Sequence, residues 1–433
     1  MDDAVSMIAA REKKRSRRRP LKYVNSAFES RTDDWWISPF NFSDSVRSQM
    51  RLPKEVQICD ITLREGRQIE GVSLGLDEVL TIAGALIEAG VSMLQVHHDE
   101  PREMMEIKKR WPDVQVEGLV HPTASLNPAR CREVVDEIVE HGADIVDLSL
   151  CFSEPQRPLF LRTMGREVSP EEALDLTLKS VAYTASTKAT PAILLPDPMR
   201  MELPYLKHII GSLIEAGAKI LRLDDVVGMG IYPAYKYLFT ELTTEFPDAT
   251  FAFHVHNDIG MGAAALYAAV EGGAAIVDAS VNGYGERAGI APLAEVAAVL
   301  QIFYGIDTGI HLDRMTELSE LVSDLCKWPI PAKQPCVGDQ AFSDLVEVHY
   351  TPPPGADWCY SQWKPWIFGN HKRVMLGHYS GPYAIRAKCK ALGVEVAEDR
   401  LLAVQASLRA HIRERKRAIR DDEFLAIVER VGR

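Results

Sequence analysis

Four things are scarce in this 433-residue chain. No apolar run approaches the roughly 18 residues that a membrane-crossing helix needs, so no membrane partner is expected. Cysteine is sparse and scattered, at 59, 131, 151, 326, 336, 359 and 389, with no Cys-x-x-Cys pair. An odd, dispersed set suits a reducing, cytoplasmic setting better than a disulfide framework or a zinc knuckle. Surplus positive charge is missing: the formal net charge is −12, which argues against a dedicated nucleic-acid binder with its basic surface. No Gly-x-Gly-x-x-Gly follows the first strand-like run, so a dinucleotide site of the doubly wound kind has no support.

What remains is ordinary for a soluble globular protein, at 46% apolar and 25% charged residues. The length suffices for one large domain plus a smaller one. Residues 1–22 carry no secretory apolar region, because 5–10 is short and follows Asp2 and Asp3. Basic residues crowd into 11–22 against a single acid, Glu12. Such a block reads as a solvated arm, or as a contact for an acidic partner.

One phrase recurs: an apolar helix end, a Glu, a Gly, then a short apolar strand. Leu86-Ile87-Glu88-Ala89-Gly90 precedes Met93–Val96, and Ile138-Val139-Glu140-His141-Gly142 precedes Ile145–Leu148. Leu213-Ile214-Glu215-Ala216-Gly217 precedes Ile220–Leu223, and Ala269-Val270-Glu271-Gly272-Gly273 precedes Ile276–Ala279. Glycine takes the positive-φ conformation that stops a helix, and the chain then enters a buried strand. Further apolar runs at 56–60, 114–120, 190–195 and 250–256 lie between these copies. The result is eight strand candidates alternating with helical periodicity, which predicts a parallel (β/α)8 barrel (a TIM barrel). In such a barrel the chemistry sits at the C-terminal ends of the strands.

Three strand ends stand out. The first reads Asp60-Ile61-Thr62-Leu63-Arg64-Glu65-Gly66-Arg67-Gln68. The seventh reads His254-Val255-His256-Asn257-Asp258, and the eighth leads into Asn282-Gly283-Tyr284-Gly285-Glu286-Arg287-Ala288-Gly289. Residues i and i+2 of a strand share a face, so His254 and His256 can bind one divalent ion at the mouth. A first-strand carboxylate, Glu65 or Asp60, completes a two-histidine, one-carboxylate face with open positions for a substrate carbonyl and carboxylate.

These three motifs, in this order and at barrel-like spacing, resemble the pyruvate-carboxyltransferase-like (DRE-TIM metallolyase) superfamily. It includes isopropylmalate, homocitrate and citramalate synthases and hydroxymethylglutaryl-CoA lyase. The resemblance is strong over 54–300 and weaker over 328–430. Arg64-Glu65 and Gly289-Ile290-x-Pro292-Leu293 are most similar to homocitrate synthases. It implies that Glu65, His254 and His256 hold Mg2+, Mn2+ or Zn2+, and that Arg64 steadies a developing oxyanion. It also implies substrate contacts from Gln68, Gln95, Arg200, Asn257, Glu286 and Arg287. After the barrel, Pro335-Cys336-Val337-Gly338, the 342–349 segment and Gly377-His378-Tyr379-Ser380-Gly381 resemble the synthase linker and small helical subdomain. His349 falls on a histidine that, in the synthases, reaches a partner's active site, which implies a homodimer.

Four positions depart from the family pattern. Gln95 replaces a Glu that pairs with the arginine, so it can hydrogen-bond Arg64 but not neutralise it. Val226 replaces a threonine, Ala252 a glutamate and Asp344 a linker histidine. His97, His98 and His121 near the strand ends read an unusual anionic oxo acid or fill the solvated mouth. The insert 351–366, with Pro352, Pro353, Pro354, Trp358, Trp363 and Trp366, caps the site, forms a subunit contact or folds as a surface loop with its own aromatic core.

The expected organisation is a lead-in at 1–53, a catalytic barrel at 54–305 and a mainly helical linker and subdomain at 306–433. The expected reaction is a metal-dependent Claisen condensation of acetyl-CoA, or another acyl-CoA, with a 2-oxo acid. The rivals are a lyase or aldolase of the hydroxymethylglutaryl-CoA lyase type, and a non-enzymatic binder.

Overall fold

The computed structural model describes residues 29–350 and 358–431. The basic stretch 11–22 and the prolines of the insert therefore lie outside the described residues.

Eight parallel strands close into a barrel in sequence order. They are β1 (Gln57–Asp60), β2 (Met93–His97), β3 (Gln115–Val120), β4 (Ile145–Ser149), β5 (Thr190–Pro196), β6 (Ile220–Asp225), β7 (Thr250–Val255) and β8 (Ile276–Ala279). Closure is direct: β1 pairs with β8 with Cys59 opposite Asp278. The main outer helices are α1 (Leu76–Glu88), α2 (Pro101–Arg110), α3 (Pro128–Glu140), α4 (Pro170–Ala185), α5 (Leu203–Glu215), α6 (Tyr232–Glu245), α7 (Gly262–Glu271) and α8 (Leu293–Ala298).

Helix starts and stops follow from local chemistry. Asn127 Oδ1 accepts from the amides of Ala129 and Arg130 at the start of α3. Ser169 Oγ accepts from Glu172 at the start of α4. The four repeated glycines end their helices at positive φ, from 93° at Gly90 to 112° at Gly217. A Cβ on Gly90 would lie 2.1 Å from the Gly309 carbonyl oxygen, so no other residue fits there.

The strand interior changes character on climbing towards the mouth. Met93, Ile145, Ala192, Ile220, Ala252 and Ile276 belong to one buried apolar cluster. Two residues further along the same strand faces come Gln95, Asp147, Arg222, His254 and Asp278, all buried and polar. Ala252 thus belongs to the apolar floor beneath the site.

After the barrel, α9 (Met315–Cys326) packs back on it, and α10 (Pro382–Leu392), α11 (Leu401–Arg415) and α12 (Asp421–Val431) form a separate apolar cluster around Ile385, Leu408 and Phe424. The described part of the insert is aromatic and packed. Trp363 bridges to Trp35 and sets its ring against Phe303 and Phe368, at 5.8 and 5.0 Å between centroids. Trp366 Nε1 donates to Asp34. Among the described residues no helix is long and apolar enough to cross a membrane.

Candidate active site

Glu65 opens a short 3-10 turn, Glu65–Arg67, just past β1. His254 lies near the end of β7, and His256 follows the strand, paired as a bridge with Ile290. The turn after β1 is sewn to the loop after β8, since Thr62 Oγ1 accepts from the Val281 amide and Glu65 Oε1 from the Glu286 amide. Glu65, His254 and His256 are all buried, and one ligand atom from each lies within 4.8 Å of the others. Asp60 does not join them: its Oδ1 accepts from the Thr62 amide, and burial pushes its carboxyl up to about 7.

The protonation pattern suits a cation. His254 Nδ1 faces Asp278 Oδ2 at 3.1 Å, which makes Nδ1 the donor and leaves the Nε2 lone pair for the site. Burial disfavours charge on His254, but Asp224 and Asp278 outweigh it and raise its pKa. His256 is driven down to about 3 by burial, then by His254, so it is a neutral base. Its Nε2 stands 3.8 Å from Glu65 Oε1, beyond hydrogen-bond reach. His256 Nδ1 is buried with no hydrogen-bond partner among the described residues. Burial raises Glu65, but Arg64 and the two histidines reverse this and hold it low, as an anion. The acidic neighbours that favour a proton on His254 favour a metal ion there equally. With that proton displaced, two nitrogen lone pairs and a carboxylate converge without bonds to one another and fit a divalent ion with open positions.

Arg64 is buried beside this cluster and ion-paired with Glu65. Its Nε donates to Gln95 Oε1 at 2.6 Å, as expected. Gln95 Nε2 in turn donates to Glu117, and Glu117 accepts from Arg222 Nη1 and Nη2 at 2.6 and 3.1 Å. Gln95 thus hydrogen-bonds Arg64 without neutralising it; the carboxylate paired with Arg64 is Glu65, while Glu117 on β3 answers Arg222. Sequence reasoning missed Glu117, Asp147, Arg222, Asp224 and Asp278. A signal existed, because three strands carry a charge at the third place of an apolar run: Ile145-Val146-Asp147, Ile220-Leu221-Arg222 and Ile276-Val277-Asp278.

The remaining candidates separate. His97 and His121, with His98, Asp99, Thr123 and Arg130, line a cavity of about 590 Å3 at the ends of β2 and β3. Burial, then the neighbouring His98, lowers His97 to about 4. His97, His98 and Asp99 also bring potential ligand atoms together, with Asp99 largely exposed. Gln68 is exposed at the end of the 3-10 turn. Arg200 is held by Asp197, Nε to Oδ1 at 2.6 Å. Asn257 has a structural task, its Oδ1 accepting from the Gly262 amide where α7 begins. Glu286 serves Glu65 through its amide, and its own carboxylate is exposed beside Arg287. Arg287 clasps Asp258 through two hydrogen bonds of 2.9 and 3.2 Å and also donates to the Val226 carbonyl, tying three strand ends together. His349 is not gathered with Glu65 within the chain. Its Nδ1 faces Asp344 Oδ1 at 3.2 Å, and its ring stacks on Tyr360 at 3.8 Å.

Fold and site together describe a (β/α)8 barrel with a metal-type cluster at its mouth. The HMGL-like family profile matches residues 55–322, and the chain belongs to that family. It is 35% identical over 388 residues to a protein of Methanopyrus kandleri named as an (R)-citramalate synthase, covering 88% of this chain and 73% of the relative. It is 31% identical over 379 residues to the homocitrate synthase of Saccharolobus islandicus, covering 87% and 80%. The HMG-CoA lyase structure of Bacillus subtilis superposes with a TM-score of 0.56 at 19% identity, over 66% of this chain and 98% of the lyase. That likeness concerns the fold. The chain is an enzyme of the transferase type its synthase relatives represent.

Proposed function

We propose that the chain joins the acetyl group of acetyl-CoA, or another acyl group carried by coenzyme A, to the keto carbon of a 2-oxo acid. The products are a 2-hydroxy-2-substituted dicarboxylate and CoA. The observation that carries this reading is the convergence of Glu65, His254 and His256 beside the buried guanidinium of Arg64. A divalent cation held by those three residues supplies Lewis-acid polarisation of a carbonyl oxygen.

The chain's own groups do the rest. A base removes a proton from the α-carbon of the acyl group, the carbon next to the thioester carbonyl. The carbanion attacks the keto carbon, and a carbon–carbon bond forms. Negative charge moves to the former keto oxygen, where Arg64 stabilises it from a fixed, water-poor position. That oxygen takes a proton, and water then cleaves the thioester C–S bond. His349 is the proposed base. With Nδ1 directed at Asp344, its Nε2 is left to take the proton. In this reading the chain works as a cytoplasmic homodimer, with His349 serving the partner's site.

Cleavage in the reverse sense has the fold likeness behind it. The lyase, however, is almost wholly matched by two thirds of this chain, whereas synthase identity runs over 87–88% of it. That difference favours condensation.

The test incubates the full chain with acetyl-CoA, a panel of 2-oxo acids and Mg2+, Mn2+ or Zn2+, with thiol release and product mass as readouts. Thiol release with one class of oxo acid is expected. None with any of them, together with cleavage of a 3-hydroxyacyl-CoA, contradicts the proposal.

A further inference from the structure

The middle of the barrel holds a cluster that the reaction above does not use. Arg222, Glu117, Asp147 and Asp278 are completely buried there. Barrel interiors at this level are ordinarily filled by branched apolar side chains. Charges in such a place add little stability over well-packed apolar residues, because desolvation offsets their attraction. What they add is direction, since a guanidinium fork accepts only a few arrangements of carboxylates.

Arg222 is the hub. Its Nη1 and Nη2 grip both oxygens of Glu117, Nη1 also meets Asp147, and Nε lies 3.1 Å from Asp278 Oδ2. From Glu117 the hydrogen bonds run through Gln95 to Arg64 Nε. From Asp278 they run to His254 Nδ1. The two arms end on the guanidinium and on one imidazole of the candidate active site.

We propose that Arg222 is a positioning residue that sets Arg64 and His254 relative to one another, through Glu117 and Gln95 on one arm and Asp278 on the other. In this role Arg222, Glu117 and Asp278 act through Arg64 and His254 rather than on the reacting atoms. They fix which ring nitrogen of His254 carries the proton and which way the Arg64 fork points. The proposal rests on the roles given above to Arg64 and His254, but its metal-binding half is read without any substrate.

The experiment compares the full chain with Asp278→Asn, Glu117→Gln and Arg222→Lys, each first checked for native circular dichroism and thermal unfolding. Co2+ is titrated into metal-free protein by visible absorption and calorimetry, and kcat and KM are measured with whichever oxo acid the panel identifies. Asp278→Asn should weaken Co2+ binding by about 10–100-fold. Glu117→Gln should leave Co2+ affinity unchanged and lower kcat by about 10–100-fold, with the KM for oxo acid kept. Arg222→Lys should do both. Should Arg222→Lys not fold, the other two variants decide. A native-like Asp278→Asn protein with wild-type Co2+ affinity overturns the proposal, as does a Glu117→Gln protein that loses Co2+ affinity. If no oxo acid is turned over, the reading of the reaction fails, while the Co2+ titrations still judge the Asp278 arm.

Discussion

The amide of Glu286 donates to Oε1 of Glu65 at 3.1 Å, joining the loop after β8 to the turn after β1. The contact needs a close backbone approach. A Cβ on Gly285 would lie 3.2 Å from Glu65 Cγ, and one on Gly289, where φ is +79°, would lie 2.1 Å from the Gly283 carbonyl oxygen. Gly289→Ala should therefore push this loop away from Glu65. A stability loss of about 1–3 kcal/mol is expected from the strained backbone, together with weaker Mn2+ binding. Urea unfolding and Mn2+ titration check this, and an unchanged protein contradicts it.

Arg64 is expected to act on charge that develops during reaction. Arg64→Lys keeps the charge but not the fork that reaches Gln95 and Glu65 together. A fall in kcat of about 10²–10³-fold follows, by analogy with removing one preorganised oxyanion donor. Metal stoichiometry should be retained. Wild-type turnover would show that the guanidinium is dispensable.

Gln95 couples Arg64 to Glu117 because its amide can accept on one side and donate on the other. Gln95→Glu removes the donor and sets two carboxylates face to face. A loss of about 1–3 kcal/mol is expected, the cost of unpairing a buried polar group. Adding Glu117→Gln restores a donor, so the double variant should be more stable than Gln95→Glu alone. A double-mutant cycle in urea checks the coupling, and strict additivity contradicts it.

Stability should also depend on Glu295, on α8. Burial pushes its carboxyl up to about 7, against the pull of a hydrogen bond from Gln334. Between about 4.5 and 7 the unfolded chain has lost this proton while the folded chain keeps it. The folded state then binds more protons, so stability falls as pH rises through that window and levels off above it. Glu295→Gln should be more stable than wild type by about 1–3 kcal/mol at pH 8. The two should converge near pH 4. Urea unfolding in chelator across this range is the measurement, and a pH-independent difference contradicts the assignment.

The sequence displayed the barrel well. Each of the eight apolar runs lies on a strand of the structure, because a parallel strand buried on both faces leaves a continuous apolar signature, and the repeated Glu-x-Gly marks helix ends. The convergence of Glu65, His254 and His256 was legible because the two histidines sit at i and i+2 in extended chain, one near the end of β7 and one just past it. The hub around Arg222 was not, since a single charge in an apolar run says nothing about which partners a closed sheet will bring to it. Asn257 carries a task that its place beside the histidine motif does not announce, since its Oδ1 accepts from the Gly262 amide at the start of α7. His349 stays a proposal that turns on a second copy of the chain.

The decisive measurement is the number of divalent ions each chain holds. Full-length protein loaded with Mn2+ or Zn2+ and freed of excess should hold one ion per chain, and His254→Ala and His256→Ala variants that remain folded should hold none. Wild-type protein that retains no ion, or variants that retain it undiminished, would contradict the account.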